Sequence, residues 1–264
     1  MSEPFPAVTE AAATGEVADL FADIRATVGV RVVNLVWRHL ATIEGGLPWA
    51  WRAVRPLYVE GMVDRAVVGF RKDMMLPKLA SLAGPEPASV DAVLASYDHS
   101  NTVNLFALGA LVAWLRGDAA AEGVPERGPR LPAPDVELPP LASESDVSPE
   151  TWRRVRHLNR FGDRPEPLIL ASMYRHLAHA PDFLVRLEAV LTPVQADGSL
   201  GRAILANRRL AHQKARIVAR AISTERPASA EDIERSISAF VEHAIGKMVT
   251  ICRAIRVARG TVSS

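Results

Sequence analysis

The sequence predicts an all-α protein of two tandem, related helical modules packed against each other as a pseudo-dimer, and three observations carry that expectation. Apolar residues recur at helical spacing throughout, and no stretch of strict apolar-polar alternation reads better as a strand than as part of a buried helix. A proline-rich stretch divides the chain. The sequence also matches itself without gaps at an offset of 137 residues, with Trp37 lying over Tyr174.

The helical periodicity is clearest in particular places. Val17, Leu20, Phe21, Ile24 and Val28 form an i, i+3, i+4 stripe, and Val90 to Arg116 reads as one long, mostly apolar helix opened by Ser89. In the second half, Trp152 to Leu158, Leu168 to Ala178, Phe183 to Leu191, Ala203 to Ile222 and Asp232 to Val257 look helical as well. Between them, PERGPRLPAPDVELPPLASESDVSP from Pro125 to Pro149 lacks the backbone donors a regular helix needs. It reads as a linker. The expected organisation is a first module over residues 1–124, a linker over 125–149 and a second module over 150–264.

At the offset of 137, WRHLA at 37–41 lies over YRHLA at 174–178. The same offset pairs Leu47 with Leu184, Pro56 with Pro193, Gly61 with Gly198, Arg65 with Arg202 and Ala66 with Ala203. One register that keeps a proline, a glycine and an arginine in step is not a product of composition. PAS at 87–89 precedes the long first-half helix and PAS at 227–229 precedes the last one, with Ser229 and Asp232 spaced as a capping pair. A module with an apolar face is stabilised by burying it against its copy, which creates an interface and a pocket at its centre.

Composition narrows the function classes. The 264 residues are 48% hydrophobic and 23% charged, enough for a sizeable core. No stretch reaches the roughly 18 uninterrupted apolar residues of a membrane span, and the acidic start MSEPFPAVTEAAATGEVADL does not resemble a signal peptide, so a cytoplasmic location and no membrane partner are expected. The one cysteine, Cys252, excludes paired-thiol redox chemistry and a Cys-x-x-Cys zinc motif. Before Pro149 there are 12 Lys and Arg against 19 Asp and Glu; from Pro149 onward, 19 against 11. Opposite charge suits docking of the halves. Arg208, Arg209, Lys214, Arg216 and Arg220 lack interleaved aromatic residues for base stacking, so no nucleic-acid partner is expected.

Four segments resemble a known family: GEVADLFADIRATVGV, WRHLATIEGGLPWAWR, YDHSN opening the long helix, and ILASMYRHLAHAPDFL. They are similar to the group I 2-haloacid dehalogenases, over about Gly15 to Arg259. The resemblance implies an all-helical pseudo-dimer with its active site between the halves. It also implies hydrolytic removal of halide from short 2-halocarboxylic acids, by a water that an aspartate and an asparagine hold, without metal or organic cofactor. The asparagine falls on Asn101, and the serine before the catalytic aspartate falls on Ser172. The aspartate position is Met173, and two pocket aromatics fall on Val32 and Leu35. A methionine cannot accept a proton from water, and general-base catalysis commonly supplies on the order of 10² to 10⁴ in rate. The chemistry is therefore expected to be moved, altered or lost.

The candidate substitutes follow from helical spacing. Asp98 and Asn101 lie three apart and share a face that Asn104 continues, which makes Asp98 a substitute base beside Asn101 or else a paired structural carboxylate. His99 lies around the helix from Asn101 and reads as the weaker candidate. Glu242 and His243 occupy the corresponding region of the second half, although adjacent helical residues point about 100° apart. His176 and His179 have an i, i+3 spacing, yet His176 matches His39 in the other repeat, which points to packing, and no His-Glu-x-x-His pattern adjoins them; no metal site is expected. The resulting expectation is a dehalogenase-like enzyme acting on a small organic acid or related metabolite, with Asn101 and Asp98 as catalytic candidates and Val32, Leu35, Ser172 and Met173 lining the pocket. The alternative is a non-catalytic binding or structural protein on the same fold. The sequence does not decide whether the chain also forms a homodimer.

Overall fold

In the computed structural model, which describes residues 6–163 and 169–263, the stripe beginning at Val17 forms helix α1 (Gly15–Val28) and turns Phe21, Ile24 and Val28 inward. Three more helices follow: α2 (Leu35–Leu40), α3 (Gly46–Val59) and α4 (Met62–Asp73). The long helix α5 runs over Ala88–Leu115 and is buried along most of its length. It starts one residue before Ser89, with Pro87 rather than a serine at its cap. The second half supplies α6 (Pro149–Asn159), α7 (Ser172–Leu177), α8 (Pro181–Ala196), α9 (Ser199–Val218), α10 (Ala230–Ala239) and α11 (Gly246–Ala258). The described residues contain no strand, so the chain is all-α.

Several elements recur at the self-match offset. Helices α2 and α7 are both six residues long and start at Leu35 and Ser172. Gly61 and Gly198 open α4 and α9 with φ of +69° and +73°, a left-handed conformation that other residues adopt at a cost. Pro56 and Pro193 both lie inside the last turn of their helices. Helix α8 therefore continues to Ala196, beyond the Leu191 that the apolar pattern suggested. The start expected at Leu168 for α7 lies outside the described residues.

Two departures from expectation have physical causes. Asp232 to Val257 is not one α-helix: a π-helical segment, Phe240–Ile245, separates α10 from α11. Ser229 does not cap α10, because its hydroxyl faces the Glu44 carbonyl at 3.5 Å.

The core comes in two parts, and each draws on both halves of the chain. One part joins α1 to α4 and the later half of α5 with the end of α9, α10 and the π segment. The other joins the first turns of α5 with α6, α7, α8, the start of α9 and α11. Ion pairs cross the same boundary: Lys214 with Asp73 at 3.1 Å, Arg216 with Asp118 at 3.0 Å and Arg259 with Asp91 at 2.7 Å. The opposite charges of the halves thus meet at their contact. The partly exposed pairs add little stability each, but together with the buried Arg259 they orient the docking.

The proline-rich linker is a strap laid over both halves. Lacking N–H groups, its prolines offer carbonyls instead: Pro139 to His176 and Pro140 to His179, at 2.7 and 2.9 Å. Leu131 donates its backbone N–H to the buried Asp64 at 2.9 Å. No helix among the described residues is long and apolar enough to cross a membrane.

Candidate active site

A cavity of about 60 Å³ opens between the halves. Five segments wall it: residues 32–38 leading into α2, the middle of α5, the strap at Leu138 and Leu141, residues 169–176 entering α7, and the π segment with the first turn of α11. The π turn carries one more residue per turn than an α-helix and brings Phe240, Ala244 and Ile245 to the wall.

The polar groups of the wall are few and well defined. Asn101 is buried on α5 and its side chain makes no hydrogen bond among the described residues. Tyr97 and Ser172 both bring hydroxyls to the wall, and burial raises the Tyr97 pKa, keeping the phenol neutral. Behind the wall, Asn34 donates to Ser100 at 3.3 Å and accepts from Asn104 at 3.1 Å. Asn104 in turn accepts from Trp37 at 2.9 Å and from the Tyr58 hydroxyl at 2.8 Å. A buried network with its members paired holds α2, α3 and α5 in fixed register.

Two ionisable side chains complete the wall. Arg38 lines the cavity and donates through Nε to the Val33 carbonyl at 3.2 Å, while its terminal nitrogens make no hydrogen bond among the described residues. His176 places Nδ1 2.7 Å from the Pro139 carbonyl. A carbonyl only accepts, so Nδ1 carries the proton and the neutral ring leaves Nε2 bare. That nitrogen is buried without a partner among the described residues. Burial lowers the His176 pKa to about 4, against the hydrogen bond to Pro139, which alone would raise it. Met173, fully buried one turn earlier on α7, also lines the cavity.

Searched by sequence, the chain matches no family model and no curated protein. Solved structures do resemble it. A D-2-haloacid dehalogenase mutant in complex with D-2-CPA superposes with a TM-score of 0.73 at 17% identity, over 97% of this chain and 96% of that one. A further D-2-haloacid dehalogenase mutant gives 0.71 at 17%, over 96% of each chain. The enzyme with L-LA gives 0.69 at 17%, again over 96% of each. The chain has the 2-haloacid dehalogenase fold.

On this dehalogenase fold, five of the residues singled out from the sequence meet at one cavity: Val32, Leu35, Asn101, Ser172 and Met173. Asp98 does not line it. Its carboxylate is buried away from the cavity, where one oxygen, Oδ2, takes Arg256 at 2.7 Å, Arg71 at 3.3 Å and Arg253 at 3.5 Å. Asp98 is thus the counter-ion of three guanidinium groups, not a base beside Asn101. Helical spacing set its angle about α5 correctly, but the arginines of α4 and α11 occupy that angle.

The remaining candidates are also placed. His99 donates Nε2–H to the Val28 carbonyl at 2.8 Å, and burial lowers its pKa. Glu242 pairs with Arg116 at 2.7 Å, and neither Glu242 nor His243 lines the cavity. His179 turns Nε2 to the Pro140 carbonyl, so the His176 and His179 pair faces strap carbonyls; no cluster of metal-ligating side chains occurs among the described residues. Arg38 and Tyr97 were missed as site residues. Both carried a signal: Arg38 sits beside His39 in the repeated Arg-His-Leu-Ala, and Tyr97 is the first residue of YDHSN.

Proposed function

We propose that this chain is a dehalogenase-like enzyme that binds a small organic acid in the cavity between two related halves, arranged as a pseudo-dimer of residues 1–124 and 150–264 joined by the strap. The observation that carries the reading is the convergence of Asn101, Ser172, Met173, Val32 and Leu35, from both halves, on one cavity. Arg38 supports the acid in particular, because a guanidinium edge matches a carboxylate with two parallel hydrogen bonds. Asn101, with its amide uncommitted, and the hydroxyls of Tyr97 and Ser172 supply the polar contacts that orient a ligand of few heavy atoms. Met173 stands where the resemblance places the catalytic aspartate. The reaction is therefore hydrolysis in which the proton acceptor has moved away from position 173.

A second reading has one observation in its favour. Met173 is fully buried against a cavity of only about 60 Å³, as it would be in a protein that kept the fold and filled the pocket. Halide release from both enantiomers of 2-chloropropionate separates the two, measured for the unmodified protein and for Met173→Asp. Turnover by the unmodified protein supports the enzyme with its proton acceptor elsewhere in the cavity, whereas turnover by Met173→Asp alone shows that the acceptor was lost with the aspartate. Tight binding of the acid without halide release by either protein would leave only the binding reading.

A further inference from the structure

We propose that His176 is the proton acceptor of this site, an inference that rests on the reading of the cavity as one that hydrolyses a small organic acid. The repeat supplies the argument. His39 and His176 occupy equivalent places in Arg-His-Leu-Ala, and each sets Nδ1 2.7 Å from a proline carbonyl, Pro6 for one and Pro139 for the other. At His39, Nε2 meets the Ser236 hydroxyl at 3.2 Å. At His176, Nε2 meets nothing among the described residues, although the ring is 3% exposed and lines the cavity. The same anchored imidazole is built twice, and one copy keeps its lone pair for whatever the cavity holds. A buried acceptor left unmet is costly, so a donor belongs there.

The geometry suits base catalysis. Spacing of three residues puts His176 on the same face of α7 as Met173, and the Pro139 carbonyl fixes the ring in the tautomer a base needs. The groups facing it are Arg38 from α2, the Tyr97 ring from α5, with ring centroids 5.8 Å apart, Arg175 from its own helix and His179 from the turn that follows. Arg38, Arg175 and His179 all disfavour an imidazolium, as does burial. The ring consequently has about the basicity of the carboxylate it replaces. In the step, an O–H bond of a cavity water breaks toward Nε2 while its oxygen bonds to the substrate carbon bearing the halogen. The carbon–halogen bond breaks, halide leaves with the electron pair, and the imidazolium passes its proton to solvent. A hydroxy acid, a halide and a proton result.

The test is His176→Asn, whose amide can still donate to the Pro139 carbonyl but offers no lone pair at the Nε2 position. Lactate binding and halide release from 2-chloropropionate are measured for both proteins. The expected result is lactate affinity within about threefold and a kcat at least about a hundredfold lower in the variant, with loss of the acidic limb of the pH profile. Turnover within threefold of the unmodified protein overturns the proposal. If the unmodified protein binds lactate but releases no halide, the proton-acceptor role fails and the acid-binding reading stands; if it binds no lactate either, that reading fails too. Should the variant not fold, ring nitrogen spectra of the unmodified protein decide. An Nε2 signal of a bare nitrogen that moves on adding lactate supports the role, and a protonated or unmoved Nε2 overturns it.

Discussion

His176 carries both a chemical role and a thermodynamic cost. Its pKa in the folded protein is about 4, below the 6.5 of an ordinary imidazole, so as pH falls the unfolded chain takes up the proton first. The stability tied to the neutral ring is full above pH 6.5, is lost progressively down to about pH 4, and changes no further below that. The shift corresponds to about 3 kcal/mol. Urea denaturation at intervals from pH 7 to 4 should show the unmodified protein losing about that much more stability than His176→Asn; parallel curves would contradict it. The cavity-lining residues legible in the sequence were those with a motif to place them: Asn101 in YDHSN, Ser172 and Met173 ahead of the repeated Arg-His-Leu-Ala. For Asp98 the sequence left a base and a paired structural carboxylate open, because its three partners come from α4 and α11 and spacing along α5 says nothing of what packs against that face.

Helix boundaries show how local rules and packing divide the work. Gly61 and Gly198 both open helices in a left-handed conformation, so the repeat predicted a shared role. Their surroundings differ. A Cβ on Gly61 would lie 1.9 Å from the Gly128 carbonyl of the strap, whereas one on Gly198 would meet only the mobile end of Arg202 at 3.1 Å. Gly198→Ala should cost about 1–2 kcal/mol for the conformation alone. Gly61→Ala should cost about 2 kcal/mol more, because the strap must shift. Equal losses in urea denaturation would show that the strap does not press on α4. The π segment was not legible at all: Asp232 to Val257 has an unbroken apolar pattern, and the extra residue is accommodated only because the cavity wall receives Phe240, Ala244 and Ile245.

At the scale of the molecule, the all-α class was readable from periodicity, and the recurrence of α2 as α7 agrees with the internal match. What could not be read was that neither core belongs to one half. Val90, Val93, Leu94 and Tyr97 of α5 lie in the core built mainly from second-half helices, and Ala211, Ala215 and Val218 of α9 lie in the other. Two long helices crossing between cores make unfolding of one half expose the other. A single denaturation transition, coincident by circular dichroism and tryptophan fluorescence, is therefore expected, and residues 1–124 alone should not fold. Two transitions would contradict this. The proposed binding of a small organic acid between the halves can be checked in a crystal structure grown with 2-chloropropionate. The carboxylate should lie within hydrogen-bonding distance of Arg38, with the halogen-bearing carbon beside Asn101, Met173 and His176. An acid bound elsewhere, or a cavity left empty at saturating acid, would contradict it.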